Sequence, residues 1–77
     1  MTHRSNIIVA PVEGGGWSVA WDGMSQPMLF LSGARAESHA RALAGRLSQA
    51  GEDVELTVRD RAQVLVGAAS YPAGFAA

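Results

Sequence analysis

Gly33-Ala34-Arg35-Ala36-Glu37-Ser38-His39-Ala40-Arg41-Ala42-Leu43-Ala44-Gly45-Arg46-Leu47-Ser48-Gln49-Ala50-Gly51 is the one long stretch of this chain with a helical period. Ala36, Ala40, Leu43, Ala44 and Leu47 recur at the spacing that lines one side of a helix. Arg35, Glu37, Ser38, Arg41, Arg46 and Gln49 fall mostly elsewhere on the wheel. Ser32 stands where an N-cap hydroxyl accepts from the first turn, and Gly51 is a natural C′ residue. The acid of a capping box is missing, because Arg35 occupies its place. Glu37 and Arg41 form an i,i+4 pair in the favourable order, worth ~0.2–0.5 kcal/mol.

Everything on either side of this helix reads as short strands. Trp17 to Asp22 alternates strictly, with Trp17, Val19 and Trp21 on one face. That face is the natural partner of the alanine stripe, since small residues let a helix approach and large rings fill the gaps. A competing reading makes the two indoles stacking platforms for bases. Ile7 to Val12 is a β-branched strand that is apolar on both faces, with Pro11 at its end or on an edge. Glu13-Gly14-Gly15-Gly16 is a turn; a strand rather than a helix follows, so it is not a phosphate cradle. Asp22-Gly23 is a tight-turn dipeptide, and Met28 to Leu31 is a third strand.

After the helix, Val54, Leu56 and Val58 alternate with Glu55, Thr57 and Arg59 as a half-buried strand. Asp60 to Gln63 turns, and Val64-Leu65-Val66 returns as an optional fifth strand. The expected fold class is α+β, in the order β-β-β-α-β-(β): an antiparallel-rich sheet of four to five strands with one helix packed on one face. One domain spans residues 6–68, with flexible ends at 1–5 and 69–77. The expected core is Trp17, Val19, Trp21, Phe30, Ala36, Ala40, Leu43, Ala44, Leu47, Val54, Leu56 and Val58.

A chain of 77 residues is one small domain. Such a domain buries only ~60% of the surface its unfolded chain exposes, so a staple or a partner is often added. Cysteine is absent, which excludes disulfides and thiolate metal sites and leaves self-association as the remaining staple. Apolar residues make up 48% and charged residues only 17%, against a usual ~25% charged, which points to a second buried surface. One helix covers one face, and Ile8, Ala10, Ala20 and Leu65 fall partly on the other. A homodimer through that face or an edge strand is therefore expected.

The formal net charge is −1 and every basic side chain besides histidine is an arginine. No basic excess of the kind that phosphate contacts require is present. No apolar run approaches the ~18 residues of a membrane span, and a cytoplasmic location is the default expectation. His3 and His39 are the only histidines, and neither has the partners of a nucleophilic triad. No histidine or carboxylate spacing fits a metal, and Glu52, Asp53 and Glu55 read as a solvated connection. The reading is a non-catalytic domain without cofactor that self-associates and acts by binding another macromolecule, with a protein as one candidate partner. The alternative is a nucleic-acid module using the sheet face or the arginines, with Arg35, His39, Arg46, Arg59 and Arg61 as the candidate binding surface.

Ile8-Val9-Ala10-Pro11, then Gly16-Trp17-Ser18-Val19 and Gly23, resemble the opening of the domain of unknown function 2188 family of small bacterial proteins. Phe30-Leu31-Ser32 followed by Ala36, Ala40-Arg41 and Leu43-Ala44 is similar to its aromatic residue, Ser/Thr cap and Ala-x-x-x-Ala-Arg-x-Leu-Ala helix. The match covers about residues 7–60. Gly33 replaces the lysine usual after the cap, and Asp60-Arg61-Ala62-Gln63 replaces an Asp-Gly turn, so the last hairpin is longer or distorted. The resemblance implies a compact β-β-β-α-β type domain and brings no catalytic residue or ligand with it.

Overall fold

The computed structural model describes residues 3–74. The elements are β1 (His3–Pro11), β2 (Trp17–Trp21), β3 (Met28–Phe30), α1 (Gly33–Gln49), β4 (Glu52–Arg59) and β5 (Leu65–Tyr71). The strands form one sheet in the order β3-β2-β1-β4-β5. Each neighbouring pair is antiparallel except β1 and β4, which run parallel at the centre. The chain walks outward through β2 and β3, and α1 carries it back across the sheet to set β4 on the free side of β1. The fold is α+β with a single helix on one face.

Local chemistry sets the ends of α1. The Ser32 hydroxyl accepts from the Arg35 backbone N–H at 3.2 Å, and Gly51 ends the helix at φ +96° with its N–H donating to the Ser48 carbonyl. Only a residue without Cβ takes that φ freely. Ala36, Ala40, Ala44 and Leu47 are buried against Ile7, Val9, Val19, Val54 and Leu56. The alanine stripe lies mainly over β4 and β1. Trp17, Trp21, Phe30, Leu43 and Val58 are therefore packed around the core, half-buried, and not at its centre. Val19 alone of the β2 face is fully covered. Ile7 and Val9 take the central places that alternation in an all-apolar strand did not single out.

Two expected boundaries are corrected. Residues 3–5 are strand rather than a frayed end, because they pair in parallel with Glu52–Val54. Ser5 is buried there, and its hydroxyl donates to the Glu52 carboxylate. The fifth strand exists, but it runs over Leu65–Tyr71, so residues 69–71 are strand and not tail. The segment after it is tied down. The buried Ser48 hydroxyl donates to the Pro72 carbonyl at 2.6 Å, the Ser48 carbonyl accepts from Gly74 at 2.7 Å, and the Asp53 carboxylate accepts from Ala73 at 2.9 Å. The remaining parts of the expected flexible ends, residues 1–2 and 75–77, lie outside the described residues.

Two turns differ in mechanism from expectation. Gly23 lies inside a turn closed by the Met24 N–H donating to the Trp21 carbonyl at 2.9 Å, and its φ is not positive. A Cβ there would stand 2.4 Å from Cζ2 of Trp21, so glycine makes room for the indole. In the β4–β5 loop the Asp60 carboxylate accepts from the N–H groups of Ala62 and Val64 at 2.8 and 3.0 Å. Gln63 then takes φ +63°, a conformation that costs a residue with a side chain ~1 kcal/mol.

Gln63→Gly is expected to raise stability by ~0.5–1 kcal/mol in urea unfolding, the relief of strain exceeding the entropy glycine adds to the unfolded chain. Ala40→Leu, at a fully buried ridge position, is expected to cost ~1–3 kcal/mol by overpacking. Ala42→Leu on the exposed side should stay within ~0.5 kcal/mol of the parent in the same melts.

Candidate interaction surface

Strand register sorts every side chain onto one of two faces. Ile7 pairs with Trp21 and Leu56, and Val9 with Val19 and Val58, which defines the helix-covered side. The other side carries Ile8 opposite Ala20 and Thr57, Ala10 opposite Ser18, and Ser18 opposite Leu29. Further along it come Arg4 opposite Asp53, Asn6 opposite Glu55, and Glu55 opposite Ser70. The uncovered face therefore has an apolar part at Ile8, Ala10, Ala20 and Leu29, and a polar part where Arg4 and Asn6 of β1 stand beside Asp53, Glu55, Thr57 and Arg59 of β4. In the polar part the Ser70 hydroxyl donates to Glu55 at 2.7 Å. Ile8, Ala10 and Ala20 are half-buried by their own strands and open above.

Exposed large apolar residues gather at the two edges of the sheet. Leu29 and Leu31 are 70% and 97% exposed on the β3 side, and Leu65 and Val66 are 57% and 59% exposed on the β5 side. Leu29 and Leu31 border an open cleft of about 460 Å³ with Val12, Gly14–Gly16, Trp17 and Phe30. Its lining offers no carboxylate, imidazole or cation. Among the described residues no group of three or more histidine, aspartate and glutamate side chains is placed to hold a metal. Among them, too, no helix is long and apolar enough to cross a membrane.

The basic residues divide. Arg35 and His39 line one shallow groove beside Phe30, whose ring lies 5.3 Å from the imidazole. Arg46 continues that side of α1, roughly 16 Å along the axis from Arg35. Arg41 points elsewhere and approaches Glu37 at 3.6 Å, as the i,i+4 spacing predicts. Arg59 registers on the uncovered face, across the sheet from the helix, and Arg61 belongs to the β4–β5 loop, in a cleft with Glu13 and Gln63. Arg35, His39, Arg46, Arg59 and Arg61 therefore do not form one patch.

Both indoles belong to the helix side. Trp17 lies against the first turn of α1, where a Cβ on Gly33 would stand 3.0 Å from its ring. Among the described residues, the uncovered face carries no aromatic ring on which a base would stack. The Trp21 Nε1 is buried and lacks a hydrogen-bond partner among the described residues, a cost of ~1–3 kcal/mol. Sequence reasoning missed this donor, the extension of the outer strand to Tyr71 and the Ser48 clasp. The signal available for the clasp was a serine on the apolar side of the helix, one residue after Leu47.

No family model, no curated protein and no solved structure matches the chain.

Trp21→Phe removes the unpartnered donor while keeping a ring, so its midpoint in chemical unfolding is expected within ~1 kcal/mol of the parent. Trp21→Ala should lose ~2–4 kcal/mol in the same experiment, because the ring covers the flank of the core.

Proposed function

We propose that this chain is a non-catalytic domain that self-associates and presents its uncovered sheet face to a protein partner. One observation carries the reading: a five-stranded sheet has a helix on one side only, and the other side offers Ile8, Ala10, Ala20 and Leu29. A surface of apolar groups bordered by charge suits a protein surface, where area and shape supply the affinity. The cleft lined by Val12, Trp17, Leu29, Phe30 and Leu31 holds no acid, base and nucleophile in one place, which supports binding over catalysis. The separated arginines, the net charge of −1 and the indoles on the helix side weigh against a nucleic-acid module.

Light scattering at micromolar concentration is expected to give twice the 8.0 kDa mass of one chain. A mass of one chain overturns the self-association. In gel retardation with mixed-sequence DNA and RNA, no shift is expected at low salt; a shift that disappears as salt rises would favour nucleic acid instead.

A further inference from the structure

We propose that two copies of this chain join through β5, antiparallel across a two-fold axis centred on Ala68, into one continuous ten-stranded sheet. The proposal rests on the self-association read above and names the surface that performs it. The sheet has two edges, and they are unequal. β3 is three residues long and follows Pro27 closely, whereas β5 offers seven consecutive residues. Soluble proteins guard a long edge with charge, proline, a bulge or a covering element, because its outward N–H and C=O groups template another strand. Leu65-Val66-Gly67-Ala68-Ala69-Ser70-Tyr71 contains no charge and no proline. Its one irregularity, the register shift between Val58 and Arg59, passes over Val66 near the start of the strand and leaves Gly67–Tyr71 in regular register.

A second copy is the occupant that this edge fits. An antiparallel pair of identical strands is self-complementary under a two-fold axis. Centred on Ala68, Gly67 meets Ala69 and Val66 meets Ser70, small against small or apolar, with no like charges opposed. The exposed Val66 gains a neighbour, as Leu65 does at the end of the ladder. The axis stands normal to the sheet, so both helices lie on one side. The two uncovered faces then merge into a single broad one, which remains open to a protein partner.

Ala68→Lys tests the proposal, since it opposes two ammonium groups across the axis while leaving the core untouched. Light scattering and sedimentation of the parent, Ala68→Lys and Ile8→Glu chains, with circular dichroism to verify folding, provide the readout. Expected is a dissociation constant raised at least roughly ten-fold by Ala68→Lys and unchanged by Ile8→Glu on the sheet face. A folded Ala68→Lys chain that dimerises like the parent overturns the edge pairing while self-association stands, all the more so if Ile8→Glu dissociates the dimer. A parent that stays monomeric overturns both. Should Ala68→Lys fail to fold, amide exchange of the parent decides: alternate amides of residues 66–70 must gain protection as concentration rises from monomer to dimer. Protection independent of concentration overturns the pairing.

Discussion

The close approach of an alanine ridge to a plane of branched aliphatic side chains is the contact on which this molecule depends. Ala36, Ala40 and Ala44 present almost no side-chain bulk, so α1 settles directly over Ile7, Val9, Val54 and Leu56. Nearly all of the fully covered apolar surface lies in that layer. Large rings do not fit beneath such a ridge, and Trp17, Trp21 and Phe30 are displaced to its flank. There they fill the wedge between the helix and the β2–β3 side. Glycine answers the rings twice: Gly33 accommodates Trp17 at the first turn of the helix, and Gly23 accommodates Trp21 beyond the strand.

Because that core is thin, polar contacts at the perimeter carry weight. The parallel pairing of β1 with β4 brings Ser5 to the Glu52 carboxylate and extends the sheet to residue 3. Ser48 uses both its hydroxyl and its carbonyl to hold residues 72–74 against the end of the helix. Asp60 organises the last hairpin with its side chain, which lets Gln63 occupy a left-handed position that glycine usually fills. Each of these sites makes one or two hydrogen bonds, each worth on the order of 1 kcal/mol. In a domain whose core supplies only ~3–5 kcal/mol, that is a substantial share.

The same thin architecture explains what is left exposed. One helix of 17 residues spans a single layer, and nothing else in the described chain is long enough to cover the second face of five strands. Apolar residues that a larger protein would place beneath a second helix remain on the surface, at Ile8, Ala10, Ala20 and Leu29. On the polar part of that face the Ser70 hydroxyl donates to Glu55, and the Asp53 carboxylate accepts from the Ala73 N–H.

Much of the fold was legible in one dimension. The helix and both of its caps, the alternation of β2 and β4, and the stripe from Ala36 to Leu47 follow from periodicity and cap chemistry, which act over a few residues. The candidate surface was legible only in part. Arg35, His39 and Arg46 share a helix side because spacing on a helix dictates it, but spacing says nothing of where Arg59 and Arg61 stand relative to that helix. Nor did alternation choose between the two apolar faces of β1: Ile7 and Val9 went inward because β4 inserted beside them in parallel and brought Leu56 and Val58 into register. The full length of β5 was hidden for a similar reason. Gly67-Ala68-Ala69-Ser70 has weak strand propensity and becomes strand by pairing with β4. Local sequence thus determined which segments are helix and strand and which side of the helix is apolar. The tertiary structure decided the face, the order and the edges of the sheet, because pairing between strands far apart in the chain is settled by which surfaces can be buried together.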